Sequence, residues 1–511
     1  MKASHKFSRR QDPWIALGLF VFSLVSRIPF RSQILYHWDS VNFAYAMREF
    51  SVAKEQPQPP GYILYVWLCR LVDLLFRDAQ TTMVWISIVG SALAAVALFY
   101  LGRSMFGRST GLLAALLLAT SPLFWFYGEI ALPHALDTTL VIASVWCLYK
   151  TMRGNYRHLY PAVTITAIAG GVRQQTLVFL FPLLLFALRR LGWKRFLTAG
   201  TLGAIICGGW FVPLVVKSGG LSNYVQVMGQ FSRRFQDTTS ILMGAGWAGI
   251  RYNVRKLAMY TLYSWNAGMV PGVVYASGHF WRREWLRSAD ERQDWEKSAF
   301  LALWLAPSFV FYATIHMGQQ GLIFVFLPAL LLLSAAGLTR LLSARPGWLV
   351  AGTAVLVALN AGIFCLVPEY PLGPGTQRLL NPATLISSDH YYQDRFRAIK
   401  ENFEPESTAI LAANWHHVEY YLPAYTTLKW ENVPGFSERE IVVTPDELGL
   451  GLDVEGQAAI IIFDSELRAF NESPKSVEIV PLEHGGDLPL LALEEGQAFR
   501  YGTHSFGLVE N

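Results

Sequence analysis

The sequence is poor in charged residues. Asp, Glu, Lys and Arg make up only 15% of its 511 residues, whereas hydrophobic residues make up 53% and the mean hydropathy is +0.31. A soluble protein contains roughly 25% charged residues. Long apolar runs fill residues 1–367, whereas residues 368–511 lack them. This pattern excludes an ordinary soluble protein and predicts a polytopic membrane domain followed by a soluble domain.

Cysteine and several nucleotide or metal motifs are also scarce or missing. The four cysteines lie far apart in apolar segments, which is typical of buried small hydrophobic residues and not of a disulfide framework. The sequence has no phosphate-binding loop, no glycine-rich dinucleotide turn and no His-Glu-x-x-His motif. These absences argue against an ATP-driven pump and a metalloprotease. The net charge is +5, but most Lys and Arg residues lie in short loops between apolar segments, so this charge does not indicate a nucleic-acid partner.

The apolar pattern predicts about eleven transmembrane helices. We place them near residues 12–30, 81–101, 110–127, 137–152, 159–172, 175–188, 196–216, 257–280, 298–315, 321–341 and 347–367. Basic residues concentrate in six connecting segments, with 20 Lys or Arg in 60 residues of 1–13, 102–109, 150–158, 189–195, 282–297 and 340–346. By the positive-inside rule these segments and the N-terminus are cytoplasmic, which puts the C-terminal domain outside. A bacterial inner membrane fits the short loops and the lack of disulfides, and the endoplasmic reticulum is the alternative.

Two apolar stretches do not fit a simple span. Residues 61–76 contain Arg70 and Asp73 and predict an interfacial amphipathic helix in a first exoplasmic loop of residues 31–80. Residues 159–188 are interrupted by Gly170-Gly171 and by Arg173. Two helices of about 14 residues would each reach about 21 Å, less than the roughly 30 Å hydrocarbon core. We therefore expect a short hairpin whose tip places Arg173 below the membrane surface, facing a water-filled cavity.

Residues 368–511 predict a small α/β domain. Apolar runs of strand type occupy 408–412, 440–443, 458–463 and 477–480, and an amphipathic helix is predicted at 391–403. The stretch Asn414–Glu419 contains two adjacent histidines, which would point to different faces of one element. We interpret this stretch as the end of a strand that packs against the membrane domain, and not as a metal site.

The order of motifs along residues 12–345 resembles that of the GT-C superfamily, the membrane glycosyltransferases that use polyprenyl-phosphate-linked sugars. The resemblance is to its branch of protein O-mannosyltransferases and aminoarabinose transferases. It implies an α-helical polytopic fold and a polyprenyl-phosphate sugar donor. The segments that carry it are His37–Ser40 after the first span, the Pro-Pro-Gly of Gln58–Tyr62, the basic loop 100–108, Leu118–Pro122, Tyr127-Gly128 and the proline-bearing stretch 321–329.

Asp39 is the predicted catalytic residue. Inverting sugar transfer needs a base that takes the acceptor proton, and a carboxylate at the membrane–water boundary can do this. The resemblance implies this role for an Asp in the first loop. The alternative is that Asp39 caps a helix over 41–50, and the two roles are compatible. The neighbouring His37 is either a structural interfacial residue, a stacking partner or a co-ligand of a metal.

The turn 128–137 contains three further candidates, Glu129, His134 and Asp137. Glu129 is a candidate catalytic carboxylate. His134 stands after a proline, where the family usually has an acidic residue, so the family's role is not carried over directly. With Glu129 or Asp39 it would supply nitrogen and oxygen ligands for a divalent ion such as Mg²⁺, Mn²⁺ or Zn²⁺. Asp137 more simply marks the start of a helix.

A departing lipid phosphate requires positive charge or fixed hydrogen-bond donors. Arg173 is the first candidate because of its depth, although a snorkelling arginine would explain it as well. Attraction to lipid headgroups would equally explain the arginines of the loop 217–256. The candidate phosphate-binding residues are Arg173, Gln174, Arg233, Arg234, Arg255, His316 and Gln320.

These features together predict an integral-membrane glycosyltransferase. It would take a polyprenyl-phosphate sugar and transfer the sugar to an exoplasmic lipid, glycan or protein. The alternatives are a membrane lipid or solute transporter and a non-catalytic membrane scaffold. Transporters often show broken helices in matching halves, but the break at 159–188 has no counterpart in the second half of the sequence.

Overall fold

The computed structural model describes residues 2–281, 289–369, 379–431, 440–502 and 504–510. It consists of two compact units. The helical unit comprises residues 1–32 and 43–385, and the α/β unit comprises residues 33–42 and 386–511. The ten residues of the first loop that belong to the α/β unit were not foreseen from the sequence.

The helical unit is built almost entirely of α-helices, and α2 and α17 each pass from one unit to the other. The helices are α1 (Lys2–Arg27), α2 (Trp38–Arg48), α3 (Ile63–Phe76), α4 (Ala79–Met105), α5 (Arg108–Thr120), α6 (Pro122–Tyr127), α7 (His134–Met152), α8 (Leu159–Val172), α9 (Gln174–Leu188), α10 (Trp193–Lys217), α11 (Leu221–Gln236), α12 (Gly246–Trp265), α13 (Met269–Trp281), α14 (Ala289–Thr314), α15 (Leu327–Leu341), α16 (Pro346–Leu366) and α17 (Pro382–Asn402).

Helix α4 lies at the centre of the helical unit and packs against α1, α5 and α7. Asp78 is its N-cap: the Asp78 carboxylate accepts a hydrogen bond from the backbone N–H of Thr81 at 2.7 Å. Near its other end, α4 approaches α5 through two glycines. A Cβ on Gly111 would lie 2.5 Å from the carbonyl oxygen of Phe99. The two helix backbones can therefore come this close only because position 111 has no side chain.

Four helical segments of the described residues are long and apolar enough to cross a membrane: Gln11–Phe30, Ala79–Met105, Trp193–Lys217 and Pro346–Leu366. Three shorter apolar helices are Arg108–Thr120, Gln174–Leu188 and Leu327–Leu341. The predicted number of eleven spans is thus not confirmed, because the other predicted spans fall on helices that are interrupted, shorter or more polar. The predicted cytoplasmic segment 282–297 lies outside the described residues as far as residue 288.

The predicted break between residues 159 and 188 is confirmed. Helices α8 and α9 are separated by Arg173 alone, which has extended backbone angles (φ −152°, ψ 108°). The preceding glycines allow close packing: a Cβ on Gly171 would lie 2.4 Å from Leu64 Cδ1 and 2.8 Å from Trp210 Cγ. The predicted interfacial helix over 61–76 is present as α3, which begins at Ile63.

The α/β unit contains two sheets. A five-stranded sheet has the order β2-β1-β4-β6-β5, in which β1 is parallel to β2 and β4 and the other pairs are antiparallel. A three-stranded antiparallel sheet has the order β3-β7-β8. The strands are β1 (Thr408–Ala412), β2 (Thr426–Lys429), β3 (Ile441–Val443), β4 (Gln457–Ile462), β5 (Val477–Pro481), β6 (Asp487–Glu494), β7 (Gln497–Tyr501) and β8 (Phe506–Glu510).

All five residues of β1 are buried, because both faces of its sheet are covered. Ile410 on one face joins a core with α17 and with a short helix α18 (Trp415–Tyr421), while Leu411 on the other face packs with residues of β6, β7 and β8. The four predicted strands are present as β1, β3, β4 and β5. The interpretation of Asn414–Glu419 as a strand end was wrong, because His416 and His417 lie in α18.

We expect Gly111→Ala to destabilise the helical unit, because its Cβ meets backbone atoms that cannot rotate away. Overpacking of this kind costs about 1–3 kcal/mol. Gly200→Ala in α10 is the matched control, since nothing lies within 4 Å of a Cβ there, and alanine favours a helix over glycine. Thermal unfolding of the detergent-purified protein measures both. An equal melting temperature for the two variants would contradict the close packing of α4 on α5.

Candidate functional site

Asp39 lies in the first turn of α2. The helix begins at Trp38, three residues before the predicted start, so Asp39 is inside the helix and is not its N-cap. Instead, Nδ1 of His37 accepts a hydrogen bond from the backbone N–H of Asp39 at 3.1 Å. His37 therefore performs the capping that the sequence had suggested for Asp39. The buried Asp39 carboxylate, 7% exposed, is not needed for that purpose.

The imidazole of His37 is neutral at physiological pH. Desolvation by the surrounding protein lowers the pKa of His37 to about 4. Its Nδ1 lies 3.5 Å from Oδ2 of Asp39, but a nitrogen that already accepts a hydrogen bond carries no proton to donate. His37 Nδ1 therefore acts as the cap of α2 and not as a hydrogen-bond donor to the Asp39 carboxylate.

In the helical unit, Arg173 lies at the break between α8 and α9 and is 2% exposed. Its guanidinium lies 3.5 Å from Oδ2 of Asp137, 3.3 Å from the hydroxyl of Tyr312 and 3.1 Å from Oε1 of Gln175. The hydroxyl of Thr176 also donates to Asp137 at 2.8 Å. The alternative of a snorkelling arginine does not hold, since the side chain is enclosed by the protein. Asp137 does not mark the start of α7, which begins at His134; it lies in the first turn of that helix and supplies the opposite charge.

The Pro-Pro-Gly turn lies beside the same break. The carbonyl oxygen of Pro60 accepts hydrogen bonds from Nε2 of Gln174 at 3.2 Å and from the hydroxyl of Tyr224 at 3.0 Å. Tyr62 next to it has φ +41°, a left-handed conformation that non-glycine residues rarely adopt. Such backbone strain concentrates at functional sites. Tyr62 is also an electrostatic neighbour of Arg173, so the turn and the helix break form one polar cluster.

Glu129 is fully buried elsewhere in the helical unit. Its charged neighbour is Arg27 near the end of α1, which itself donates a hydrogen bond to the carbonyl oxygen of Ala119 at 2.6 Å. The backbone carbonyl of Glu129 accepts from the N–H of Ser32 at 3.0 Å. Arg27 thus lies in the electrostatic surroundings of Glu129, and the backbone hydrogen bond to Ser32 connects Glu129 to the chain that leaves α1.

His134, the predicted metal ligand, is buried at the start of α7. Its ring packs edge-on against Tyr127 with centroids 5.0 Å apart, and a Cβ on Gly321 would lie 2.5 Å from it. The hydroxyl of Tyr127 donates to Oε1 of Gln320 at 3.2 Å. Gln320 thus joins the surroundings of His134, which the sequence did not indicate.

The remaining candidate cations are dispersed. Arg233 and Arg255 are exposed, on α11 and α12. Arg234 forms an ion pair of 2.8 Å with Glu55. His316 is partly buried and its Nδ1 lies 3.0 Å from the hydroxyl of Thr239. The structure therefore brings none of these four into the contacts of Arg173 described above, and their role in phosphate binding stays a prediction.

The predicted metal ligands also stay a prediction. Among the described residues, one group of three side chains has donor atoms close enough together to hold a metal ion. It consists of Asp394, Glu483 and His484 in the α/β unit. Asp394 accepts hydrogen bonds from the backbone N–H and Nδ1 of His484, and Glu483 pairs with Arg397. Protein donors thus already occupy both carboxylates. We assign no role to a metal here.

Several polar residues of these clusters were not singled out from the sequence. Tyr312 and Thr176 were missed because a buried hydroxyl in an apolar helix has no distinctive local pattern. Tyr62 could have been noticed from its place after Pro-Pro-Gly, where the backbone geometry is unusual.

We expect Arg173→Met to destabilise the helical unit strongly. Removing one partner of a buried ion pair leaves the other charge uncompensated, at a cost of about 3–5 kcal/mol. The double variant R173M/D137N should regain part of this loss, because it removes the stranded charge as well. Arg255→Met, at an exposed position, is the control and should change the free energy of unfolding by less than about 0.5 kcal/mol. The single variants R173M and D137N complete the comparison in denaturant unfolding. If their effects on the free energy of unfolding simply added in the double variant, the pairing of Arg173 with Asp137 would be contradicted.

Comparison with known proteins finds a family resemblance in part of the chain. Residues 57–216, which include the Pro-Pro-Gly turn and Arg173, match the sequence model of the family described as dolichyl-phosphate-mannose-protein mannosyltransferase. The undecaprenyl phosphate-alpha-4-amino-4-deoxy-L-arabinose arabinosyl transferase of Yersinia enterocolitica is 27% identical over 178 residues. That match covers 32% of this chain and 31% of the relative, so it spans about a third of the relative's length.

Two solved structures share the fold over most of the chain. The crystal structure of ArnT from Cupriavidus metallidurans bound to undecaprenyl phosphate has a TM-score of 0.57 at 13% identity, covering 94% of this chain and 97% of that one. The archaeal oligosaccharyltransferase AglB from Archaeoglobus fulgidus, in complex with an inhibitory peptide and a dolichol-phosphate, has a TM-score of 0.51 at 11% identity, covering 99% and 75%. Over most of its length the chain therefore has an ArnT-like fold, and residues 57–216 resemble the dolichyl-phosphate-mannose-protein mannosyltransferase family.

Proposed function

We propose that the protein is an integral-membrane glycosyltransferase. It transfers one sugar, with inversion, from a polyprenyl-phosphate-linked donor to an exoplasmic acceptor. The observation that carries this proposal is the ArnT-like fold over 94% of the chain. The two structural neighbours were solved with undecaprenyl phosphate and dolichol-phosphate, which are the lipid phosphates that such a reaction would release.

In this proposal Asp39 is the general base. Its carboxylate takes the proton of the acceptor group as the nucleophile attacks the anomeric carbon of the sugar. The bond between that carbon and the phosphate oxygen breaks, and the lipid phosphate leaves with the electron pair. The capping of α2 by His37 supports this role, since it fixes the first turn of the helix that carries the Asp39 carboxylate.

The leaving phosphate needs stabilising charge, and we propose Arg173 and Gln174 for this task. The contact of Arg173 with Asp137 is 3.5 Å long, whereas a strong arginine–carboxylate hydrogen bond measures roughly 2.7–2.9 Å. In this proposal a phosphate oxygen of the leaving lipid phosphate replaces one of the three acceptors of the guanidinium. Arg233, Arg255 and His316 are further candidates, at positions closer to solvent.

The acceptor in this proposal is a lipid, glycan or protein, and the enzyme acts in the cell membrane with its C-terminal domain outside. A transporter or a non-catalytic scaffold would share the fold but would transfer no sugar. An activity measurement therefore separates these alternatives directly.

We expect Asp39→Asn to abolish sugar transfer, because an amide cannot accept the acceptor proton. Loss of a general base typically lowers the rate by about 10²–10⁴-fold. The measurement is transfer of radiolabelled sugar from a panel of polyprenyl-phosphate sugars by purified protein in liposomes. Glu49→Gln is the matched control, since it removes an exposed carboxylate directly after α2, where Glu49 pairs with Lys54. Full transfer by D39N would refute the assignment of Asp39, and failure of the wild type to transfer any sugar would favour a transporter or scaffold.

A further inference from the structure

The backbone just before Asp39 is held by side chains of the α/β unit. The backbone N–H groups of Gln33 and Ile34 donate to the two carboxylate oxygens of Asp389, at 2.8 and 3.1 Å. Asp389 lies on α17 and is 8% exposed. One buried carboxylate thus accepts hydrogen bonds from two successive N–H groups, and bonds to a charged acceptor are stronger than those between neutral groups.

Leu35 is held at both of its backbone polar groups. Its N–H donates to the hydroxyl of Tyr421 at 3.0 Å, and its carbonyl oxygen lies 2.7 Å from Nε2 of His417. Because a carbonyl only accepts, Nε2 of His417 carries the proton. Burial lowers the pKa of His417 to about 4, which keeps this ring neutral with a single, fixed donor. Both Leu35 and His417 are buried, so water cannot replace these bonds.

Side chains fix the same segment independently of its backbone. Ile34 is buried in the core of the α/β unit together with Phe396 of α17 and Val418 of α18. The ring of Trp38 packs 5.5 Å from the ring of His416. Tyr392 stacks on His417 at 4.3 Å and so fixes the ring that binds Leu35. Residues 33–38 therefore pack as part of the α/β unit, although more than 340 residues separate them from it in sequence.

We propose that Asp389, His417 and Tyr421 are positioning residues for sugar transfer. They hold residues 33–35. Asp39 follows Leu35 by only four residues, and the last two of these, Trp38 and Asp39, already lie in α2. The C-terminal domain thereby sets the place and orientation of the Asp39 carboxylate. This inference rests on the proposed function of Asp39. A displacement of about 1 Å in a catalytic group can lower a rate about 10²-fold.

The test compares variants of the full chain that each remove one of these bonds. His417→Gln and His417→Asn form a matched pair: the Gln amide reaches the place of Nε2 and can still donate to Leu35, whereas the Asn amide is too short. Asp389→Asn replaces one acceptor oxygen by an N–H that faces a backbone N–H. Tyr421→Phe removes the hydroxyl that accepts the hydrogen bond from the backbone N–H of Leu35. The readouts are kcat, the KM for the polyprenyl-phosphate sugar and the melting temperature.

The control is Asp394→Asn on the same helix. Asp394 is also buried and accepts a backbone N–H together with a histidine Nδ1, but these come from His484, in the turn between β5 and β6. It should therefore cost stability without affecting kcat. We expect D389N, H417N and Y421F to lower kcat about tenfold or more, with the donor KM within about twofold of the wild type, while H417Q retains activity.

Three results would overturn the inference. Wild-type kcat in D389N and H417N, with D39N inactive, would leave the proposed function intact and refute the positioning role. An equal fall of kcat in D394N would show that general loosening of the domain, and not the hold on residues 33–35, lowers activity. Full activity of D39N would instead refute the assignment of Asp39 and this inference with it.

Discussion

Pairing of buried charge governs the helical unit. A bilayer offers no water to an unpaired ion, so each charged side chain within the helices needs a partner from another helix. Arg173 at the α8–α9 break pairs with Asp137 of α7, and Asp12 of α1 pairs with Arg103 of α4 and Arg108 of α5. These pairs connect segments that the apolar surfaces alone would leave free to slide.

The same constraint explains where the backbone departs from helix. At the Pro-Pro-Gly turn, side chains of Gln174 and Tyr224 both bind the carbonyl of Pro60 and replace the hydrogen bonds that a helix would have made. The irregular backbone is thus confined to a place where polar side chains converge. That convergence, beside Arg173, is also the polar surface on which the proposed phosphate site depends.

Local patterns in the sequence predicted the elements whose causes are local. Gly170-Gly171 and Arg173 interrupt an apolar run, and the chain turns back there as α8 and α9. The amphipathic pattern of residues 61–76 predicted helix α3. The start of α2 was missed because its cap is a histidine, which is not among the usual capping residues. Strand β6 was missed as well, since Pro489 within it argues against a strand.

The candidate site was predictable in its residue types but not in its groupings. Asp39 and Arg173 stood out because a charged residue beside or within an apolar run is costly. Their partners did not, because the contact of Leu35 with His417, or of Arg173 with Tyr312, joins positions far apart in the chain. A pattern within one segment carries no information on which distant segment supplies the complementary hydrogen bond.

The assignment of residues 33–42 to the α/β unit changes what counts as a transferable module. A chimaera that exchanged only the C-terminal domain between two related enzymes would combine one parent's Asp389, His417 and Tyr421 with the other parent's loop. The natural cut points instead enclose two stretches of chain, residues 33–42 and residues 386–511. A substitution in one stretch changes contacts made by the other, so we expect the two stretches to co-evolve.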